Sequence, residues 1–201
     1  MLHCIYYLSL WTITLTNQSI KRIGFACKWA EINHKGEIVS AEGLNTGGTT
    51  QAWAKRNNRS VVEEKIMDVA KRNIMNTHAL VKKVATLEPG LRMLRLTSDM
   101  FSFYTMDGYK EFWHSTDVQN SLERWMAPIG ETARANDVRL SFHPDQFVVL
   151  ASDRDEVVNK SIEEFEYHCD MVRMMNYGKT FQDFKVNVHI SGRRGPQGIR
   201  D

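Results

Sequence analysis

Short stretches that alternate apolar and polar residues and end in a potential metal ligand leave this chain few architectures to adopt. In residues 138–143, Val138, Leu140 and Phe142 share one parity and Arg139, Ser141 and His143 the other, so a strand here has an apolar face and a polar face. Pro144 then ends the ladder by removing a backbone donor. Residues 185–190 repeat the pattern, with Val186, Val188 and Ile190 opposite Lys185, Asn187 and His189. Residues 91–97 form a third strand, where Arg95 and Thr97 point toward a carboxylate at Asp99. A shorter strand is expected over 22–27, with Gly24 marking a close approach by another backbone or a ligand.

Helical stripes separate these strands. Ser60 and Glu63 form a capping box ahead of Ile66, Val69, Ala70, Ile74, Leu80, Val81 and Val84. Thr116 or Asp117 caps a second helix carrying Leu122, Trp125, Met126, Ile129 and Ala133, which Pro128 is expected to kink or split. Ser152 or Asp153 caps a third, with Val157, Val158, Ile162, Phe165, Cys169, Val172 and Met175 along one side and Tyr177-Gly178 closing it. Residues 28–59, rich in Gly and Thr, and the aromatic run 98–113 read as loops. Strands alternating with helices predict an α/β fold with a parallel sheet. Strand onsets near residues 22, 91, 138 and 185 give the first four units of a TIM-type (β/α) barrel. A whole barrel usually needs about 250 residues, and the chain has 201. The ending 191–201 carries no helical pattern, so the expectation is a truncated barrel, the N-terminal half of a longer protein.

A hydrophobic fraction of 42% suffices for one well-cored domain, whereas a net charge of +2 is too small to imply nucleic-acid binding by itself. The clusters Lys55, Arg56, Arg59 and Arg193, Arg194, Arg200 form either a local basic face or ordinary solvated surface. Cys4, Cys27 and Cys169 are widely spaced and include no Cys-x-x-Cys pair, which speaks against a disulfide framework or zinc knuckle and for a cytoplasmic protein. The apolar run at residues 2–15 lacks a basic leading segment and is short for a membrane span. Residues 1–20 are therefore expected to be an N-terminal extension, disordered or read from too early a start, with a secretion signal as the alternative. Residues 21–201 would form the domain.

In β-α barrels the working residues come from the C-terminal ends of the strands and the loops that follow. Asp99, His143 and His189 all fall there, on the polar parity, in three successive strands. Each histidine is either a hydrogen-bonded structural residue or a ligand, and two at one register on neighbouring strands suit a transition metal. His34, His78 and His168 have no such placement and read as surface or helix-packing residues. Phe147 alone reads as strand-end core.

Four motifs in order, RIGFAC at 22–27, RLTSDMF at 95–101, LSFHPDQF at 140–147 and VNVHISG at 186–192, resemble the UV damage endonuclease family of phage or bacterial type, from about Lys21 onward. The resemblance implies a TIM-type barrel that nicks DNA 5′ of pyrimidine dimers and 6-4 products, using a cluster of divalent metals. Manganese is foremost, with zinc or magnesium as alternatives. It implies His143 and His189 as catalytic metal ligands. A further family histidine aligns with Met106, a poor ligand for a hard metal, and His114 is the candidate substitute. Asp99 would bind metal or orient a ligand, preferably the latter. Gln146 and Phe147 match the residues that the family inserts into the duplex in place of displaced bases, and Phe25 matches an aromatic of the lesion pocket. Asp145 departs from the glycine often found before that glutamine. The loop at 45–50 is a candidate for phosphate binding through backbone amides. The implied partner is damaged double-stranded DNA, with no membrane association and a monomeric full-length protein in the nucleoid or an infected cell's cytoplasm. Other readings are an abasic-site endonuclease or sugar isomerase-like metal barrel, and a truncated, inactive DNA-binding remnant.

Overall fold

The computed structural model describes residues 21–177 and 184–189. The expected N-terminal extension, the closing Gly178, Ile190 and the chain's ending lie outside those residues. Within them, strands β1 (Phe25–Ala26), β4 (Met93–Arg95), β5 (Arg139–Phe142) and β6 (Lys185–Val186) form a parallel sheet in that order. The strand-helix alternation thus yields parallel strands that pair in chain order, as in a β-α unit series. Each strand is shorter than the stretch expected from its parity.

Three long helices cover the sheet. Helix α2 (Arg59–Ala85) packs along α4 (Thr116–Ala135), which in turn contacts α5 (Asp155–Met174). Their buried faces include Val62, Ile66, Ile74 and Val81 of α2 and Leu122, Met126, Ile129 and Ala133 of α4. These meet Leu94, Leu140 and Phe142 of the sheet in one core. Leu140 and Phe142 are each 0% exposed, so the parity reading holds at β5.

Two close approaches depend on glycine. A Cβ on Gly24 would lie 2.2 Å from the Met93 carbonyl oxygen, where β1 meets β4. One on Gly130 would lie 1.9 Å from the Met175 oxygen, where α4 meets the end of α5. The sequence-based suspicion at Gly24 is therefore correct, and the approaching group is backbone.

Several expectations need correction. Pro128 does not split α4, which runs unbroken from Thr116 to Ala135; burial of Leu122 and Met126 before it and of Ile129, Gly130 and Ala133 after it outweighs the missing hydrogen bond. The capping box at Ser60 is replaced by a cap two residues earlier, at Asn58, with no side-chain cap bond. The α5 stripe is rotated, since Ile162 is 48% exposed while Ser161, Tyr167 and His168 are buried. The loop at 28–59 contains an antiparallel hairpin, β2 (Ala30–Ile32) with β3 (Ile38–Ser40), and a short helix α1 (Gln51–Ala54). The aromatic run ends in α3 (Lys110–Trp113). No described helix is long and apolar enough to cross a membrane.

Candidate active site

The chain leaves β5 at Phe142 and turns at Pro144, so His143 is the first residue beyond the ladder. On β6 the register pairs Phe142 with Val186, and Asn187 N–H donates to the Phe142 oxygen at 3.0 Å. His143 therefore stands opposite Asn187, and His189 lies two residues further along. The two histidines share a side but not a register, a correction to the sequence reading. A parallel bridge between Val149 and His189 folds the loop after β5 back over β6 and closes the offset. The two imidazole rings end 4.5 Å apart between centroids, at 70° to each other.

The His143 imidazole is held toward its neutral form. Burial, then the neighbouring His189 and Arg95, hold the His143 imidazole below its ordinary value. His189 Nε2 is buried and has no hydrogen-bond partner among the described residues. A buried polar nitrogen without a partner is costly and calls for an explanation. A metal ion accepting its lone pair is one, and neutral imidazoles are suitable donors. Among the described residues no third His, Cys, Asp or Glu joins them in a group that could hold a metal.

The other candidates are distributed around the pair. Asp99 is exposed in the turn after β4. It lines a cavity of about 370 Å³ with Ser98, Asp145, Glu164, Tyr167 and His168. His114 is exposed at the C-terminal end of α3, its ring 5.2 Å from that of Tyr104, and the structure does not bring it to the histidine pair. Gln146 is exposed and Phe147 is 77% exposed, so Phe147 is not the core residue that its setting alone suggested. Asp145 supports this projection: its Oδ1 accepts from Phe147 N–H and its carbonyl oxygen from Val148 N–H, both at 2.9 Å. The departure from glycine thus builds a turn through the aspartate side chain. Phe25 packs edge-on against Trp29 at 5.4 Å, at the end of β1. In the loop at 45–50, two of the amides expected for a phosphate cradle are already engaged. Gly47 N–H donates to Asn73 Oδ1 and Thr49 N–H to Ser102 Oγ, so those amides face inward.

Residues with no metal-ligand or binding signal prove structurally central here. Asn73, fully buried on α2, bonds Gly47 and the carbonyl oxygens of Asp99 and Met100. Tyr167 and His168 of α5 reach the end of β4. An asparagine inside an otherwise apolar helical stripe was the available signal for the first, and the adjacent Tyr-His pair for the second.

A parallel β-α sheet with paired imidazoles at its C-terminal rim defines the class of α/β proteins that work at strand ends. The profile of the family described as UV-endonuclease UvdE matches residues 21–199, and the chain belongs to that family. It is 32% identical over 126 residues to the UV-damage endonuclease of Neurospora crassa, covering 61% of this chain and 18% of that protein. To the UV DNA damage endonuclease of Bacillus velezensis it is 26% identical over 146 residues, covering 73% and 42%. The crystal structure of SacUVDE superposes with a TM-score of 0.66 at 22% identity, covering 88% of this chain and 52% of that one, a likeness of fold. The chain thus spans about half or less of each of these proteins.

Proposed function

We propose that this chain forms the N-terminal half of a metal-dependent repair endonuclease that nicks DNA on the 5′ side of UV photoproducts. In the whole protein its four parallel strands would be the first half of a TIM-type barrel. The observation that carries the reading is the His143–His189 pair, with the buried Nε2 of His189 that has no partner among the described residues. Names of the relatives, UV-damage endonuclease in fungal and bacterial species alike, support the substrate.

Divalent metal, manganese foremost, would polarise the phosphodiester and activate water. His143 and His189 would donate imidazole nitrogens to it. Burial of His143 favours the neutral form that a ligand requires. Remaining donors would come from beyond the described residues, since no third one is present among them. Exposed Phe147 and Gln146 would enter the duplex where damaged bases are displaced, the ring replacing lost stacking and the amide meeting orphaned base edges. Phe25, backed by Trp29, would wall the lesion.

The test is nicking of irradiated duplex by the chain supplied with manganese, against His143→Ala and His189→Ala. Loss of nicking in both variants, with wild-type melting, is the expected result. Undiminished nicking in either removes that histidine from the site. Salt-sensitive DNA binding without lesion preference or incision by the unaltered chain would instead fit a DNA-binding remnant.

A further inference from the structure

Beneath the histidine pair lies a buried polar group that the proposed chemistry does not use. Tyr167 and His168 of α5 are 5% and 1% exposed, and both reach Ser98 at the end of β4. The Tyr167 hydroxyl donates to the Ser98 carbonyl oxygen and accepts from Phe101 N–H, each at 2.9 Å. His168 Nε2 lies 2.9 Å from Ser98 Oγ, which lies 3.0 Å from the carbonyl oxygen of His143. The His168 ring also meets the Phe142 ring edge-on at 5.4 Å. One histidine therefore braces both residues at the end of β5, Phe142 through its ring and His143 through the serine.

Counting hydrogens sharpens the arrangement. His168 Nδ1 lies 2.6 Å from the Glu164 carbonyl oxygen, which can only accept, so Nδ1 carries the proton. Burial, the leading influence on His168, disfavours the charged ring, leaving Nε2 as a bare acceptor. Ser98 has one hydroxyl hydrogen and two acceptors within reach, Nε2 and the His143 oxygen. The hydroxyl is thus shared between the helix and the peptide that carries His143.

We propose that Ser98 and His168 are positioning residues for His143, setting the His143–Pro144 peptide and hence the direction in which the His143 imidazole faces His189. The inference rests on His143 belonging to the proposed metal site, where outer partners of a ligand fix its orientation. Asp99, the carboxylate expected from the sequence to do this, is exposed, and among the described residues no hydrogen bond joins its side chain to either imidazole.

The decisive experiment uses the full chain without metal. Ring nitrogen resonances of His143 and His189 are recorded by long-range proton–nitrogen correlation in the unaltered chain, Ser98→Ala, Ser98→Thr and His168→Phe, each with a urea melt. Ser98→Ala and His168→Phe are expected to shift the His143 ring nitrogens, and Ser98→Thr, which keeps the hydroxyl, to restore them. Unchanged His143 resonances in Ser98→Ala overturn the proposal, as does a change that Thr does not rescue. Manganese affinity is then measured on the same proteins. Ser98→Ala is expected to bind about 10- to 100-fold more weakly than the unaltered chain. Absence of manganese binding by the unaltered chain would sink the metal reading while the metal-free spectra still decide the positioning role.

Discussion

Replacing Asn73 by leucine should cost this fold about 3 kcal/mol, a figure built from its bonds. The side chain is 0% exposed. Its Oδ1 accepts from Gly47 N–H at 3.0 Å, and Nδ2 lies 2.8 Å from the Gly47 oxygen, 3.0 Å from that of Met100 and 3.2 Å from that of Asp99. Nδ2 has two hydrogens, so the amide makes one accepted and two donated bonds, worth together about 3 kcal/mol at about 1 kcal/mol each. The Met100 oxygen is buried and would lose its partner, adding about 1 kcal/mol. Leucine has nearly the same shape and leaves no cavity, and its apolar burial recovers about 1 kcal/mol. With a urea slope of about 2 kcal/mol per molar, the midpoint falls by about 1.5 M. Hydrogen exchange supplies a local readout, since the Gly47 amide should lose protection specifically. A midpoint drop below about 0.3 M, equivalent to about 0.6 kcal/mol, would show that other contacts hold the loops at 45–50 and 98–100, and the reasoning would fail.

Gly24→Ala places a methyl against the Met93 carbonyl at 2.2 Å, and since backbone cannot swing aside as a side-chain tip can, a loss of about 2–3 kcal/mol is expected in the same melt; a neutral result would mean that β1 pairs with β4 less closely. Phe147→Ser should leave stability within about 0.5 kcal/mol because the ring is solvated, yet weaken binding to irradiated duplex in a fluorescence titration; equal binding would remove Phe147 from the interface. Burial holds His168 below its ordinary value of 6.5, and His78 as well. The unfolded chain therefore takes up protons that the folded chain refuses, so stability should be complete well above the ordinary value and decline as pH falls through it. His168→Phe should flatten that decline in urea midpoints measured across the range, and an unchanged slope would assign it to other groups.

The sheet was legible because parity is a local property. Val138, Leu140 and Phe142 can be buried together only if the strand is extended, and β5 obeys. Helices α2 and α4 were legible for the matching reason, a long apolar stripe at 3.6-residue spacing. Helix α5 was misphased because its buried face is partly polar: Ser161, Tyr167 and His168 replace the aliphatic residues on which such reading depends. The hairpin β2–β3 escaped notice since all six of its strand residues are exposed, which removes the apolar-polar contrast that announces a strand.

The site divides along the same physical line. Parity correctly put His143 and His189 on one side of the sheet, but side is decided within a strand, whereas register is decided between strands. The pairing of Phe142 with Val186 depends on where each strand enters the sheet, and no residue of either strand encodes that alone. The rings nevertheless meet at 4.5 Å because the loop after β5 crosses back to the bridge at Val149. Asp145 and Ser161 hold that loop, the first through Phe147 N–H and the second through Val149 N–H and oxygen. The loop that begins at His143 is thus bonded at Val149 to the backbone of His189, so its conformation bears on both imidazoles. Ser161→Ala on α5, which removes the hydroxyl that bonds Val149 N–H and oxygen, should shift the His143 and His189 ring resonances without touching either residue.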